Sequence, residues 1–448
     1  MTRIITAPTK HNCDHLLGQF LDESHYDILI DEDCDFYVPN SSLTSGNGEH
    51  NIAFKLRKNV FTAEEQLGAY EGLINAAGES QNRGMAAGPK GAKLQNRDWV
   101  TDWQLAVLDT LTNSQQRLDG QDPLKVLIAE KNKFKEESTR GLVWLRSKIV
   151  KDGEAYEGFF DRWLEKVLDL PVAERASVAA SYAKTCISQT SYANPVNSGV
   201  AGFYDRYPRY PYGRVCSYNH KNPELFEKSF AYIKKLDAEF KKLLPERYAA
   251  QARAAGNLDS KFRIAGDTVF TTLTVNKTFR TAAHLDAGDL GEGFSNLGVI
   301  LPPEGKGYKG GYLVLPEYRV AINVRPGDLL LIANHTAIHG NTPILPVSDD
   351  CCPECIVRMS VVAYFRENML ELGSWEYETA RRNYVESRRL NQEHPLWRPL
   401  WNGVSEKMFE QDEWYQFLHS QPNGEAMLKQ YHPEAIREKA ATLGDFFV

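Results

Sequence analysis

DTVFTTLTV (267–275), SNLGVIL (295–301), GGYLVLP (310–316), VAINV (320–324), DLLLIA (328–333) and IVRMSVVAYF (356–365) are six short runs rich in Val, Thr, Leu and aromatic residues. Gly, Pro and Asp turn signals separate them at close intervals, which is the pattern of an all-β sandwich or barrel. A double-stranded β-helix, the jelly-roll form, would gather ligands from strand ends and loops inside one open mouth.

Outward from this stretch the texture turns helical. From about residue 60 to 245, Thr62 and Glu65 form a capping box ahead of Leu67, Tyr70 and Leu73, and Phe159, Phe160, Trp163 and Val167 recur at helical spacing. The clearest helix is predicted from Pro223 to about Leu244, capped by Asn222, with Phe226, Phe230, Ile233, Leu236 and Phe240 on one face. The expected fold class is α+β: a mostly helical N-terminal region over 1–200, a double-stranded β-helix core over 201–370 and a helical C-terminal annex over 371–448.

The 448 residues, 42% hydrophobic and 25% charged, have the composition of a soluble globular protein. No stretch reaches membrane-spanning length and the first residues lack a signal-peptide core, so an intracellular, non-secreted protein with no membrane partner is expected, in a microbial or virus-infected cytoplasm or in a eukaryotic nucleus. Seven cysteines without a secretion signal argue for reduced thiols. A net charge of −7 rules out a nucleic-acid argument from global charge, so any such surface must be local. The best local candidate is 83–97, RGMAAGPKGAKLQNR, which carries Arg, Lys and Gly without a carboxylate; a solvated surface loop is the alternative.

Chemistry concentrates in the β region. His284 and Asp286 are two apart, so on an extended segment they project to one side and can chelate one metal together. His339 follows the apolar run of GDLLLIANHTAIHG, with His335 as a competitor, and Arg358 lies on the next run. Two imidazoles and one carboxylate take one face of an octahedral Fe(II) and leave three positions for a bidentate co-substrate and O₂. Arg358 could then pair with the far carboxylate of 2-oxoglutarate. Cys351, Cys352 and Cys355 have zinc-like spacing but no second ligand pair, so a loop cluster without metal is preferred over a zinc site. The aromatic run FYDRYPRYPYGR (203–214) could stack bases or pack against a barrel.

Together, HLDAGD, GGYLVLPEY, RPGDLLLIANHTAIHGNTP and RMSVVAYFRE resemble the TET/JBP family of 2-oxoglutarate and Fe(II)-dependent DNA dioxygenases, over about residues 200 to 366. The resemblance implies iron ligands at His284, Asp286 and His339, the last favoured over His335 by HGNTP. It implies co-substrate contacts at Arg358 and Ser360, with Arg214 as a further cofactor-binding candidate near Tyr218. Asp289, three residues past the metal carboxylate, falls where the family contacts the flipped base. A carboxylate accepts from the N4 amine of cytosine, which leans the expectation toward hydroxylation of 5-methylcytosine to 5-hydroxymethylcytosine in double-stranded DNA; a protonated Asp would suit thymine instead. Leu313 replaces a histidine of the animal enzymes, and their cysteine-rich domain has no counterpart, so compact microbial or viral members are the nearer likeness. An oxygenase of a free nucleotide or other small molecule, and a non-catalytic metal- or DNA-binding module, are the rival readings.

Overall fold

The computed structural model describes residues 2–7, 9–38, 51–89, 164–165, 167–171, 174–175, 194–206, 210–305, 307–347, 356–390 and 411–435. The chain forms two compact units, one of 1–90, 193–206 and 212–379, the other of 91–192, 207–211 and 380–448. Among the described residues no helix is long and apolar enough to cross a membrane.

The first unit begins with β1 (Arg3–Thr6), β2 (Ile28–Ile30), β3 (Cys34–Tyr37), β4 (Ile52–Arg57), α1 (Ala63–Leu73) and β5 (Glu79–Ser80). It continues with β6 (Val196–Tyr204), β7 (Arg214–Val215), α2 (Ser217–Lys221), α3 (Pro223–Glu227), α4 (Phe230–Leu243) and α5 (Pro245–Gly256). Then come β8 (Thr272–Lys277), β9 (Ser295–Ile300), β10 (Tyr308–Gly310), β11 (Leu313–Leu315), β12 (Val320–Ile322), β13 (Leu329–Ile332), β14 (Gly340–Asn341), β15 (Ile344–Pro346) and β16 (Met359–Tyr364). Each of the six apolar runs thus contains a strand. One sheet runs β1-β3-β4-β13-β9-β16-β8-β6-β5, and a second runs β14-β11-β12-β2. The chain passes back and forth between the sheets: β8, β9, β13 and β16 lie in the first, while β11, β12 and β14 lie in the second, and beside β14 an isolated antiparallel bridge joins His284 to His339. That interleaving is the winding of a double-stranded β-helix.

The large sheet is covered on both faces, which is why its strands read as continuous apolar runs rather than alternating ones. Leu329 and Leu331 of β13 pack with Met359, Val361 and Ala363 of β16 under Ile233, Leu236 and Phe240 of α4. Leu330, Ile332 and Val362 point the other way, into a core shared with Phe36, Phe54, Leu315 and Ile322. Each such side chain contributes roughly 1.5–3 kcal/mol by leaving water.

The first 57 residues depart from the expected helical texture, because they supply strands to both sheets. Phe54, Leu56 and Arg57 of β4 pair with β13, and Ile28–Ile30 pairs in parallel with Val320–Ile322. The reason is tertiary: three- to six-residue strands carry little intrinsic signal and form because an edge is waiting for them. The helix predicted from Pro223 to Leu244 is likewise broken into α3 and α4. At the break, Ser229 Oγ donates to Phe226 O at 2.6 Å, and a Cβ on Gly68 of α1 would stand 2.6 Å from Lys228 O. The backbone of α1 therefore seats against the exposed carbonyls there. Asn222 does not cap with its side chain, which donates instead to Tyr218 O. The Thr62–Glu65 capping box is formed.

The chain passes through α6 (Trp375–Leu390) into the second unit, which contains α7 (Gln411–His419) and α8 (Gly424–Tyr431). Gly424 closes their turn, since a Cβ there would lie 1.9 Å from Leu418 O, and Trp414 Nε1 donates to His432 Nε2 at 3.2 Å. Val167 is buried, whereas Phe159, Phe160, Trp163, Cys351, Cys352, Cys355 and 90–97 lie outside the described residues.

Candidate active site

Two hydrogen bonds bring the imidazoles together. His284 N–H donates to His339 O at 2.9 Å and His339 N–H to His284 O at 3.0 Å. The second histidine is not at the end of β13, as the sequence suggests; the chain leaves β13 at Ile332, turns through Asn334, and reaches the other sheet at His339. The ring centroids are 4.3 Å apart. His284 Nδ1 lies 2.8 Å from Ala282 O and His339 Nδ1 lies 3.0 Å from Ala337 O. A carbonyl only accepts, so each Nδ1 carries a hydrogen and each Nε2 is the ring atom turned toward Asp286.

Asp286 completes the set. Its carboxylate oxygens stand 3.2 Å from His284 Nε2 and 3.8 Å from His339 Nε2. All three ligand atoms lie within 4.8 Å of one another. Burial alone would raise the Asp286 pKa, but the hydrogen bond to His284 and the charge of His339 outweigh it and hold the carboxyl down at about 2. Burial, with His284 beside it, pushes His339 down to about 4. Burial would lower the His284 pKa, but the hydrogen bond and charge of Asp286 outweigh it and raise it, so a divalent ion would take the place of the proton shared there, meeting an anionic oxygen on Asp286 and a neutral imidazole on His339. His335 lies outside this cluster, so the group is His284, Asp286 and His339.

Parity along β16 sets the rest. Odd-numbered residues 359, 361 and 363 face α4, so Arg358, Ser360, Val362 and Tyr364 line a cavity of about 380 Å³ together with the three ligands. Arg358 is 4% exposed, sits over the Tyr308 ring at 5.5 Å, and its Nε has no hydrogen-bond partner among the described residues. Burying a guanidinium without a carboxylate is costly, so this one fits the far carboxylate of a dicarboxylate co-substrate. Ser360 is also buried, 3.5 Å from Asn276 Nδ2. Donor set and buried cation together fit Fe(II) and 2-oxoglutarate.

Asp289 lines the same cavity. Ser295 Oγ donates to its Oδ2 at 2.6 Å, and its backbone pairs with Arg366. Burial, and then the charge of Asp286, raise its carboxyl to about 7 against the opposing pull of Ser295 and Arg366. Leu313, also on the lining, is apolar and buried.

Two predicted neighbours stand elsewhere. Arg214, expected among the co-substrate contacts, is not on the lining; it lies 4.8 Å over the Tyr204 ring, because β7 pairs along β6 and aims it at that ring. Tyr218 donates to Gly72 O at 2.6 Å and ties α2 to α1. Arg83, Tyr364 and Arg366 belong to the cavity and escaped sequence reasoning. Strand parity beyond Ser360 points to Tyr364 and Arg366, whereas Arg83 stands out in the sequence only as the first residue of the basic stretch 83–97, with no sign that it enters this cavity.

With the geometry in hand, comparison with known proteins is specific. Residues 201–367 match the Tet_JBP oxygenase domain of the 2OGFeDO superfamily. Thymine dioxygenase JBP1 of Leishmania braziliensis is 32% identical over 195 residues, 43% of this chain and 22% of that protein. Thymine dioxygenase JBP1-B of Trypanosoma cruzi (strain CL Brener) is 38% identical over 191 residues, 41% of this chain and 21% of that protein. The chain thus spans about a fifth of the length of these relatives. The solved structure of NgTET1 in complex with 5mC DNA aligns at a TM-score of 0.33 and 16% identity, over 44% of this chain and 69% of that one. Over residues 201–367, then, the chain is similar to the Tet_JBP oxygenase domains of the 2OGFeDO superfamily.

Proposed function

We propose that the chain is a 2-oxoglutarate and Fe(II)-dependent dioxygenase that hydroxylates the 5-methyl group of a pyrimidine in DNA, with thymine as the first substrate and 5-methylcytosine as the second reading. The observation that carries it is the convergence of a two-His, one-Asp donor set, a buried arginine with no carboxylate partner among the described residues and a titratable base-edge candidate, Asp289, on one cavity. His284, Asp286 and His339 would hold Fe(II), and Arg358 with Ser360 would hold 2-oxoglutarate. Bound there, the metal and co-substrate supply oxidation of an unactivated C–H bond by O₂, one oxygen atom entering the methyl group and the other entering succinate as CO₂ is lost.

The protein's own residues do the rest. Arg358 orients the co-substrate from the depth of the cavity, while the apolar lining of Leu313, Val362 and Tyr364 excludes water. A methyl group stacked inside a duplex cannot reach so enclosed a site, so the base must be flipped in. With its carboxyl at about 7, Asp289 can donate to thymine O4 when neutral and accept from cytosine N4 when ionised. The names of the relatives, thymine dioxygenases, support taking thymine first.

The test is incubation with Fe(II), 2-oxoglutarate and DNA containing either thymine or added 5-methylcytosine, followed by mass analysis of the nucleosides. Hydroxymethyldeoxyuridine is expected. Hydroxymethyldeoxycytidine alone would establish the second reading, and succinate formation without either product would refute the DNA substrate.

A further inference from the structure

Three guanidinium groups line the cavity, those of Arg83, Arg358 and Arg366, and their situations differ. Arg366 Nε donates to Asp205 Oδ1 at 2.7 Å, so it is already paired with a carboxylate. Arg358 is accounted for by the co-substrate. Arg83 has neither: its Nη2 donates to Gly199 O at 2.9 Å, its Nε has no partner, and no carboxylate pairs with it among the described residues.

Its position is nonetheless built. The turn after it, Gly84–Ala87, is fixed at both sides: Ala282 N–H, two residues before His284, donates to Ala86 O at 2.8 Å, and Asn194 Nδ2 donates to Ala87 O at 2.9 Å. Gly88 at φ +94° passes so close to Phe20 that a Cβ would stand 2.4 Å from its ring. The loop that could have been a solvated surface is therefore docked, at this end, against the ligand-bearing segment. A cation held this firmly in a cavity, without a counter-charge, is stabilised only when something else brings one.

The resident groups bring none to spare. Fe(II), a doubly charged 2-oxoglutarate, Asp286 and Arg358 cancel among themselves, Arg366 is paired with Asp205 and the Asp289 carboxyl is engaged by Ser295, which leaves the positive charge of Arg83 for the substrate. On the reading of the substrate given above, we propose that Arg83 is a specificity-determining residue that donates to an acceptor oxygen of the flipped nucleotide. The pyrimidine O2 carbonyl and the flanking phosphate share that chemistry. A guanidinium has donors only, so it selects acceptors in either case.

The experiment compares wild type with Arg83→Gln, which keeps an amide donor for Gly199 O, and Arg83→Lys, which keeps the charge. DNA affinity is read by fluorescence anisotropy without turnover, KM is measured separately for DNA and 2-oxoglutarate, and thermal melting is followed throughout. Arg83→Gln should weaken DNA binding and raise KM for DNA by about tenfold to a hundredfold, with KM for 2-oxoglutarate and the melting temperature unchanged. A salt slope reduced by about one with partial rescue by Lys identifies the phosphate; an unchanged slope without rescue identifies the carbonyl. Unaltered DNA affinity and KM, or a rise confined to KM for 2-oxoglutarate, overturns the proposal. If Arg83→Gln does not fold, Arg83→Met, which keeps the aliphatic stem without the charge, is put through the same comparison of the two KM values. A wild-type protein that neither binds nor oxidises DNA defeats the substrate reading itself, before any variant is compared.

Discussion

Asp289 is a carboxyl raised from 3.8 to about 7 by burial and by the charge of Asp286, so it is neutral below that pH and anionic above it. Thymine offers a carbonyl to a donor, and cytosine offers an amine to an acceptor. Oxidation of thymine should therefore fall as pH rises through about 7, and oxidation of 5-methylcytosine should rise. Asp289→Asn carries a permanent donor and should flatten the thymine profile. Profiles of kcat/KM on the two DNAs measure this, and matching profiles in the wild type would exclude Asp289 as the base reader. At this scale much was legible. His284 and Asp286 announce themselves because two-residue spacing has a fixed meaning on an extended backbone, and Arg358 and Ser360 share a face by the same rule. Arg83 was illegible as a cavity residue, because its role depends on a turn fixed by Ala282, almost two hundred positions away in the chain.

Elements show where the same reasoning stops. The strands of the large sheet were readable because burial on both faces leaves unbroken apolar runs such as LLLI in β13. The break between α3 and α4 was not, since it arises where α1 presses on the chain. Gly72 marks that contact: a Cβ there would lie 2.8 Å from Leu225 O and 2.9 Å from Ser229 N. Both neighbours are backbone and cannot swing aside, so Gly72→Ala should cost about 1–3 kcal/mol by overpacking, despite alanine's better helix propensity. Urea or thermal unfolding measures the loss. A more stable variant would show that α1 is free to move away from α3.

At the scale of the whole molecule, the family match begins at residue 201, but the sheets do not. β4 covers the edge of β13 and β2 covers the edge of β12. A fragment limited to 201–367 would expose both edges, and an uncovered apolar edge is a template for aggregation. That fragment is predicted to aggregate more readily than the full chain; a fragment as soluble as the full chain, with a cooperative melt, would contradict this. The same pairings impose an order in time. Arg57 meets Leu329 and Ile28 meets Val320, so at usual rates of synthesis roughly 15 to 60 s separate the making of the early strands from the arrival of their partners. β2 and the β13-facing edge of β4 wait for partners made far later, and the yield of folded protein depends on how well those apolar segments are kept from other chains while they wait.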